Sequence, residues 1–564
     1  MLKQIKIENF KGIKNGKVLD LKKVNVFIGK NNSGKSCVLE ALCLVRCAFN
    51  EMLLGEPLLR LLLCRRGIER STYVLRNFWY GYKTDEPILF NLEFIEGEKL
   101  NVKVNYSDDR HLDISLEDPS GKVRRSTNSY FCEKRLNISG GSGIIEESFL
   151  PHFAQEYSKI YHYLSNLTLM DDYIARKLEK LETNVFNQIF EPRLDRKVIN
   201  KLNEVYEVNA EGLTYIPISP TTTGTFRLAV TTPKQSLHID ELGDGAKYAT
   251  SIFSMALLLE NTALLIEEIE SHQHPDAIRK FLPSLLSIAQ ERNIQLFITT
   301  HSLEVIQTLS ELKEKFEIGF FHTTRSIEGE LATRFLTSID AKLLLDLGVD
   351  VRTLEAYKKF IVVEGKEDAT FIHQLQQKYG QELEKGAIIV KAWNKDQVKH
   401  TITALASTGK EIIAVLDYNK DEKSKILNSI ANSLRNRYEV MQEDNVFRVK
   451  GTNSSIKVLL LGLPYDEMLQ NIGITSHEME DHCLKLLEVD ENLKKWAGLS
   501  LKELAENVKK AKIEERDKSS TLLKQLAVLK GRIYEDIIGY IIQNASEDSL
   551  EKVITEDMKD ILFN

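Results

Sequence analysis

The 564-residue sequence is poor in cysteine, and the cysteines it has do not make a site. The thiols at positions 37, 43, 47, 64, 132 and 483 form no Cys-x-x-Cys pair, which excludes a zinc ribbon and a dithiol redox centre and fits reduced thiols in a cytoplasmic protein. Long apolar runs are missing too. The stretches Met52 to Cys64 and Ile252 to Leu259 are too short or too interrupted to span a bilayer, and no basic segment with an apolar run opens the chain. A soluble, untargeted chain with no membrane partner is expected. There is also no excess of positive charge: the formal net charge is -7, so any contact with nucleic acid must come from local basic surface or from cations bridging acidic side chains to phosphate. Internal repeats and low-complexity tracts are absent. What is present is the composition of an ordinary globular protein, 43% apolar and 28% charged, over a length that exceeds one hydrophobic core and implies two or three domains.

Alternation of polar and apolar residues in Leu2-Lys3-Gln4-Ile5-Lys6-Ile7, a turn at Lys11-Gly12-Ile13 and the run Val24-Asn25-Val26-Phe27-Ile28 predict a hairpin and a strand that enters a glycine loop. Apolar residues at helical spacing follow from Ser36, and strands are expected at Ile88 to Phe94 and Leu100 to Tyr106. From Phe149 to Val208 the pattern turns helical and charged, which reads as an insertion, because the strand Leu213 to Pro217 and the later motifs resume only after it. Ala263-Leu264-Leu265-Ile266 and Ile294 to Ile298 read as buried parallel strands. Beyond about residue 355 a second strand and helix series begins with Phe360 to Val363, Ala387 to Val390 and Ile412 to Leu416, and from Ser476 the chain is mostly helical, with a basic stretch at Lys509 to Lys512.

Gly29-Lys30-Asn31-Asn32-Ser33-Gly34-Lys35-Ser36, following a strand and opening a helix, has the spacing and context of a Walker A loop. Glycines at Gly29 and Gly34 let backbone N–H groups of Asn31, Asn32 and Ser33 wrap phosphates, Lys35 reaches the β and γ phosphates, and Ser36 offers a hydroxyl to Mg²⁺. Glu267 and Glu268 at the end of an apolar strand fit a Walker B element, the first holding the metal and the second polarising water. His301, in Thr299-Thr300-His301-Ser302, is placed to sense the γ-phosphate. Leu242-Gly243-Asp244-Gly245 precedes a helix about twenty residues before the acids, where ABC-type ATPases carry their signature.

Together these residues resemble the ABC-type ATPase domain of SMC and OLD-family proteins. The resemblance implies ATP as cofactor, with Gly243 and Gly245 facing nucleotide held by a second copy, and hence a homodimer or higher homo-oligomer. Three departures, namely the lack of a Q-loop glutamine, Ile269 in place of proline and a degenerate signature, imply slow or regulatory hydrolysis.

A second acidic pattern lies downstream. Val363-Glu364-Gly365, with Asp368 in the first turn of the next helix, and Leu416-Asp417-Tyr418-Asn419 both place acids at strand ends, where neighbouring parallel strands bring them to one sheet edge to share divalent ions. The Asp417 to Asp421 loop lacks the glycine and bidentate glutamate of an EF-hand, which argues against a calcium loop. The pattern resembles the Toprim domain of topoisomerases, primases and OLD-family nucleases. That resemblance implies Mg²⁺ or Mn²⁺ at Glu364, Asp368, Asp417, Asn419 and Glu480, with Asn419 standing where the family has a second aspartate. Asp421 is a substitute for that charge, and Glu478 and Asp481 are neighbours of the favoured Glu480. For the family's late cation, Lys530 is preferred over Lys524.

The expected fold is therefore α/β: an ABC/SMC-like P-loop ATPase domain (1–148 and 211–354) with a helical, dimerising insertion (149–210), followed by a Toprim unit with a Rossmann-like parallel sheet and a helical C-terminal region (355–564). The order of the two halves resembles the OLD family across nearly the whole chain, which implies an ATP-regulated, metal-dependent DNA endonuclease serving prokaryotic antiviral defence, with a defence-system partner protein or noncoding RNA as further partners. The alternative is an ATP-gated nucleic-acid sensor or clamp with a weak Toprim site.

Overall fold

A computed structural model describes residues 1–53, 56–67, 75–108, 111–121, 123–130, 149–178, 188–190, 192–217, 226–379, 386–511, 513–515, 517–555 and 558–559. Cys132, Lys512 and part of the expected insertion, 179–187, lie outside them. The chain divides into two compact units, Met1–Lys342 and Leu343–Asn564.

The first unit is built on a 12-stranded sheet. Its centre is Val24–Ile28, buried at every position, which pairs parallel with Gln295–Thr299 on one side and Ile318–Arg325 on the other. A strand buried on both faces needs an unbroken apolar run, and that is what the sequence supplies here. Ala263–Ile266 pairs parallel with Gln295–Thr299, so three strands present their carboxyl ends, and the loops that follow them, at one edge. Beyond Ile318–Arg325 the sheet continues through Glu330–Thr337 and Ile13–Val18 into an antiparallel run of Leu2–Phe10, Ile88–Phe94, Lys99–Asp108, His111–Glu117 and Val123–Tyr130.

Between 149 and 210 the described residues include helices Phe149–Glu156, Ser158–Asn166, Asp172–Leu178 and Asp195–Tyr206. This stretch does not stand apart as an insertion, however. Its short strand Thr168–Met170 pairs parallel with Ala263–Ile266 and forms the edge of the main sheet, and Val198, Ile199 and Leu202 of its last helix are buried. A strand of three residues, too short to show any periodicity, ties this segment into the ATPase core.

The second unit carries a six-stranded sheet in the order Ala387–Lys391, Lys359–Val363, Glu411–Asp417, Ser455–Leu461, Val446–Val449, Val440–Glu443. The first four strands are parallel and the last two antiparallel. The C-terminal helices are not an appendage: Leu487, Leu523, Ile538 and Ile541 share one apolar core with Phe371 and Leu375 of helix Lys366–Lys378 and with Leu459 of the sheet. Among the described residues no helix is long and apolar enough to cross a membrane. The described cysteines are free, and burial pushes the Cys43 thiol up to about 12, which keeps it unreactive.

Candidate functional site

At the edge of the first sheet the chain leaves Val24–Ile28 through Gly29, whose backbone is left-handed at φ 136°. A Cβ there would stand 2.5 Å from the Thr323 carbonyl oxygen, and one at Gly34, φ 99°, would stand 2.7 Å from Leu331. Both positions therefore require glycine, for conformation and for space. Helix Lys35–Arg46 starts at once, so its first N–H groups face the loop. Lys35 Nζ donates to the carbonyls of Gly29 and Lys30, at 2.8 Å each.

The loop from Asn31 to Ser36, the acids Glu267 and Glu268, and His301 line one cleft of about 640 Å³. Ser36 Oγ donates to Glu267 Oε1, which joins the hydroxyl and the acid expected to share a cation. Glu268 stands exposed at the cleft on a left-handed backbone, φ 49°, with its N–H donating to Thr299 Oγ1 at 2.9 Å. Strain of that kind on a non-glycine residue persists where the surroundings over-determine it. The His301 N–H donates to Glu270 Oε1 at 2.6 Å. The signature glycines lie elsewhere. Gly243 caps helix Asp244–Leu258, and the Gly245 carbonyl accepts from Tyr206 and Gln273, both at 2.9 Å; neither lines the cleft.

A cationic clamp that the sequence does not mark lies behind this cleft. Arg65, almost fully buried, pairs with Glu267, with Asp171 at 2.7 Å and with Glu40 at 2.8 Å, while Arg66 reaches Glu40 at 3.0 Å and Glu267 at 3.2 Å. Lys11 reaches Glu40 at 2.5 Å. Burial pushes the Glu40 carboxyl up, but Lys11, Arg65 and Arg66 together outweigh it and hold it below its ordinary value. The one available signal was an acid among Leu39, Ala41 and Leu42, one helical turn past Ser36. Glu40→Ala would leave Arg65 buried with one partner fewer, and a destabilisation on the order of 3 kcal/mol is expected. The thermal midpoint of the variant checks this, and an unchanged midpoint refutes it.

In the second unit the two acids expected at strand ends come from adjacent parallel strands. Lys359–Val363 ends at Glu364, and Glu411–Asp417 ends at Asp417, whose N–H donates to Glu364 Oε1 at 3.1 Å. Asp417 Oδ1 accepts from the Met479 N–H at 2.9 Å, which brings in the segment that carries Glu478 and Glu480. Glu480 accepts from the Tyr534 hydroxyl, and Glu478 from Ser520 Oγ at 2.6 Å. Asp368 accepts from the Gly365 N–H at 2.8 Å.

These acids feel one another. Burial, then Asp368, Glu364, Glu480 and Glu478, raise the Asp417 carboxyl well above its ordinary value. Burial, then Glu364 and Glu478 among others, push Asp368 up to about 7, and burial with Glu478 and Asp368 does the same for Glu480. Burial raises Glu364 against the pull of Lys395 and Lys399. As placed, no three acid, histidine or cysteine side chains among the described residues converge on one point.

The remaining predicted residues fall at different distances from this edge. Asn419 sits beside it on a left-handed backbone, φ 53°, exchanging backbone hydrogen bonds with His477 at 2.6 and 2.8 Å. Asp421 pairs with Lys395 at 3.3 Å and Lys425 at 2.6 Å, and Asp481 with His477 at 2.8 Å, so both acids are committed to structure. Lys530 engages Trp496 rather than the acids, donating to its carbonyl at 2.5 Å with Nζ 5.1 Å from its ring. Trp496 lies in the last turn of helix Glu491–Ala497, whose end carbonyls attract a cation. Lys524 lies 5.2 Å over the ring of Tyr534, the partner of Glu480. The cation at the edge is one the sequence did not flag: Lys395 Nζ donates to the Asp417 carbonyl at 3.2 Å.

The raised acids set a pH dependence. Between roughly pH 4 and 7, Asp368 and Glu480 are protonated in the folded chain and ionised in the unfolded one, so the unfolded state binds fewer protons and stability falls as pH rises through that window. The thermal midpoint of the cation-free protein is expected to be lower at about pH 8 than at about pH 5.5, and Glu480→Gln, which keeps an acceptor for Tyr534, should flatten the difference. A midpoint that rises with pH would contradict this account.

The glycine loop, the paired acids and the parallel sheet that aligns them make the first unit a P-loop nucleotide-binding ATPase domain. The chain belongs to the family described as "AAA domain, putative AbiEii toxin, Type IV TA system", whose profile matches residues 24–307. It is similar to an ATP/GTP phosphatase of Helicobacter pylori, 22% identical over 355 residues that cover 58% of this chain and 91% of that one. An uncharacterized protein of Methanocaldococcus jannaschii is 31% identical over 113 residues, 20% of this chain and 99% of its own length. Among solved structures, an SMC head bound to the C-terminal winged-helix domain of ScpA covers 60% of this chain and 98% of its own, at 13% identity and a TM-score of 0.34.

Proposed function

We propose that the protein is an ATP-regulated, divalent-metal-dependent endonuclease of the OLD type, with DNA as substrate, acting in antiviral defence. The ATPase is the family's. The nuclease reading rests on one observation, the Asp417 N–H bonded to Glu364 Oε1 at 3.1 Å, which brings the ends of adjacent strands together with Asp368, Glu478 and Glu480 near enough to raise the Asp417 carboxyl. A set of carboxylates that repel one another, Asp368 and Glu480 buried and Glu364 and Asp417 half-buried, suits Mg²⁺ or Mn²⁺, which take hard oxygen ligands and relieve the repulsion. Glu364, Asp368, Asp417 and Glu480 would hold the ions once their side chains turn from their protein donors, and Asn419 would contribute a neutral oxygen. When bound, such ions lower the pKa of attacking water and neutralise charge on the displaced oxygen. Lys395, already at the Asp417 carbonyl, is the residue of this chain that stabilises charge on a phosphate there. Nucleotide bound at Lys35 and Ser36 would be closed over by Gly243 and Gly245 of a second copy, so that ATP state controls cutting through dimerisation.

The test is supercoiled plasmid incubated with the protein in Mn²⁺ or Mg²⁺, with and without ATP. Nicking that EDTA abolishes and ATP modulates is expected, and intact plasmid in every lane sinks the proposal. A second reading, an ATP-gated clamp with a weak metal site, is favoured by Asn419, which removes a charge from the family pattern. Under it Asn419→Asp creates cleavage that the parent lacks.

A further inference from the structure

Four parallel strands of the second unit end at one edge in the order Ala387–Lys391, Lys359–Val363, Glu411–Asp417, Ser455–Leu461. The inner two deliver Glu364 and Asp417, and the outer two are followed by Trp393 and Tyr465. These are the exposed large aromatic side chains among the described residues of this unit, 74% and 90% accessible. An aromatic flank on each side of an acidic centre is an arrangement the nuclease reading does not itself explain.

The Trp393 flank is held in place. The Ala392 N–H donates to the Val363 carbonyl at 2.9 Å, which ties the Trp393 loop to the strand that carries Glu364. Trp393 has φ 68°, a conformation a bulky side chain adopts only at a cost, and Asn394 fixes the following helix by accepting from the Gln397 N–H at 2.8 Å. On the other flank Tyr465 and Tyr418, the residue after Asp417, line a cleft of about 400 Å³ with Leu463, Pro464 and Lys423. Lys391 is exposed on one side, and Lys423, paired with Asp444 at 3.2 Å, stands on the other.

Resting on the nuclease reading, we infer that this edge takes an unpaired polynucleotide strand laid across the four strand ends, with bases stacked on Trp393 and Tyr465 and the backbone over the acids. At about 4.8 Å per strand the edge spans about 14 Å, which is about four stacked nucleotides at roughly 3.4 Å each. Aromatic faces open to solvent stack on bases only where these are not already paired, so a duplex offers them nothing except at an unpaired site. Base stacking tolerates any sequence, and the flanking lysines supply phosphate contacts that make binding sensitive to salt.

The full chain is titrated, in Ca²⁺ and again in EDTA, against fluorescently labelled oligothymidylate, oligouridylate and a DNA duplex, with anisotropy as the readout. The parent should bind a single strand at least about tenfold more tightly than the duplex. Trp393→Ala and Tyr465→Ala should each weaken single-strand binding by about tenfold, with Trp393→Phe restoring it. Met441→Ala, an exposed residue on the antiparallel strand Val440–Glu443, should change nothing. The thymidylate and uridylate arms tell DNA from RNA. Failure of the parent to bind any oligonucleotide, equal loss on single strand and duplex, or binding that ignores both aromatic variants overturns the inference. Intact single-strand binding without cleavage in Mg²⁺ or Mn²⁺ defeats the nuclease reading alone and leaves this one standing.

Discussion

Replacing Lys35 by alanine is expected to reduce phosphate release from ATP by about a hundredfold or more, to the level of the solution without protein. Lys35 is buried at the base of the cleft, with Nζ bonded to the Gly29 and Lys30 carbonyls, so the ammonium is pre-positioned inside the loop that would surround the β and γ phosphates. The cations behind the cleft are engaged elsewhere: Lys11 is held by Glu40, and Arg65 and Arg66 by Glu40 and Glu267. The charge lost in the variant is the one expected to balance phosphate oxygens in a transition state where charge spreads over the transferred group. Phosphate release checks the prediction, with nucleotide binding measured on the same sample. Hydrolysis within a fewfold of the parent would remove Lys35 from the chemistry and with it the assignment of the loop.

Glu364→Ala should remove plasmid nicking in Mg²⁺ or Mn²⁺ by on the order of a hundredfold or more while leaving ATP hydrolysis in place. Glu364 accepts directly from the Asp417 N–H and is one of the charges that raise Asp417 and Asp368. Its removal takes away a proposed metal oxygen and also a like charge from a crowded group, so the variant should not melt below the parent in the absence of cations. That pairing of outcomes, activity lost with stability kept, separates a functional carboxylate from a structural one. Equal nicking by the variant would take Glu364 out of the mechanism, and a large fall in thermal midpoint with lost nicking would make its role structural.

Much of this was legible in the chain because short apolar runs that end in a glycine loop or an acid carry two signals at once, a buried strand and a chemical group at its carboxyl end. Val24 to Ser36, Leu264 to Glu268 and Phe360 to Asp368 are of this kind, and the strands lie where those runs predict. Residues that act through long-range pairing left no such mark. Lys395 opens a polar helix, and nothing in its neighbours says that its ammonium meets the Asp417 carbonyl. Arg65 and Arg66 follow a leucine-rich helix and reach an acid two hundred residues away only through the fold. Lys530, chosen for its late position, belongs to a helix end that turns it onto Trp496.

The sequence by itself determined the chemistry available: a glycine loop before a helix, acids at strand ends and an overall negative charge, each fixed by residue type and local spacing. Which groups meet was decided only by the tertiary structure. The order of strands in each sheet set Glu364 against Asp417, drew Thr168–Met170 into the ATPase core and left Trp393 and Tyr465 on opposite flanks of the acids. The reason is that strand order and side-chain reach depend on pairing between segments far apart in the chain, where local spacing carries no information.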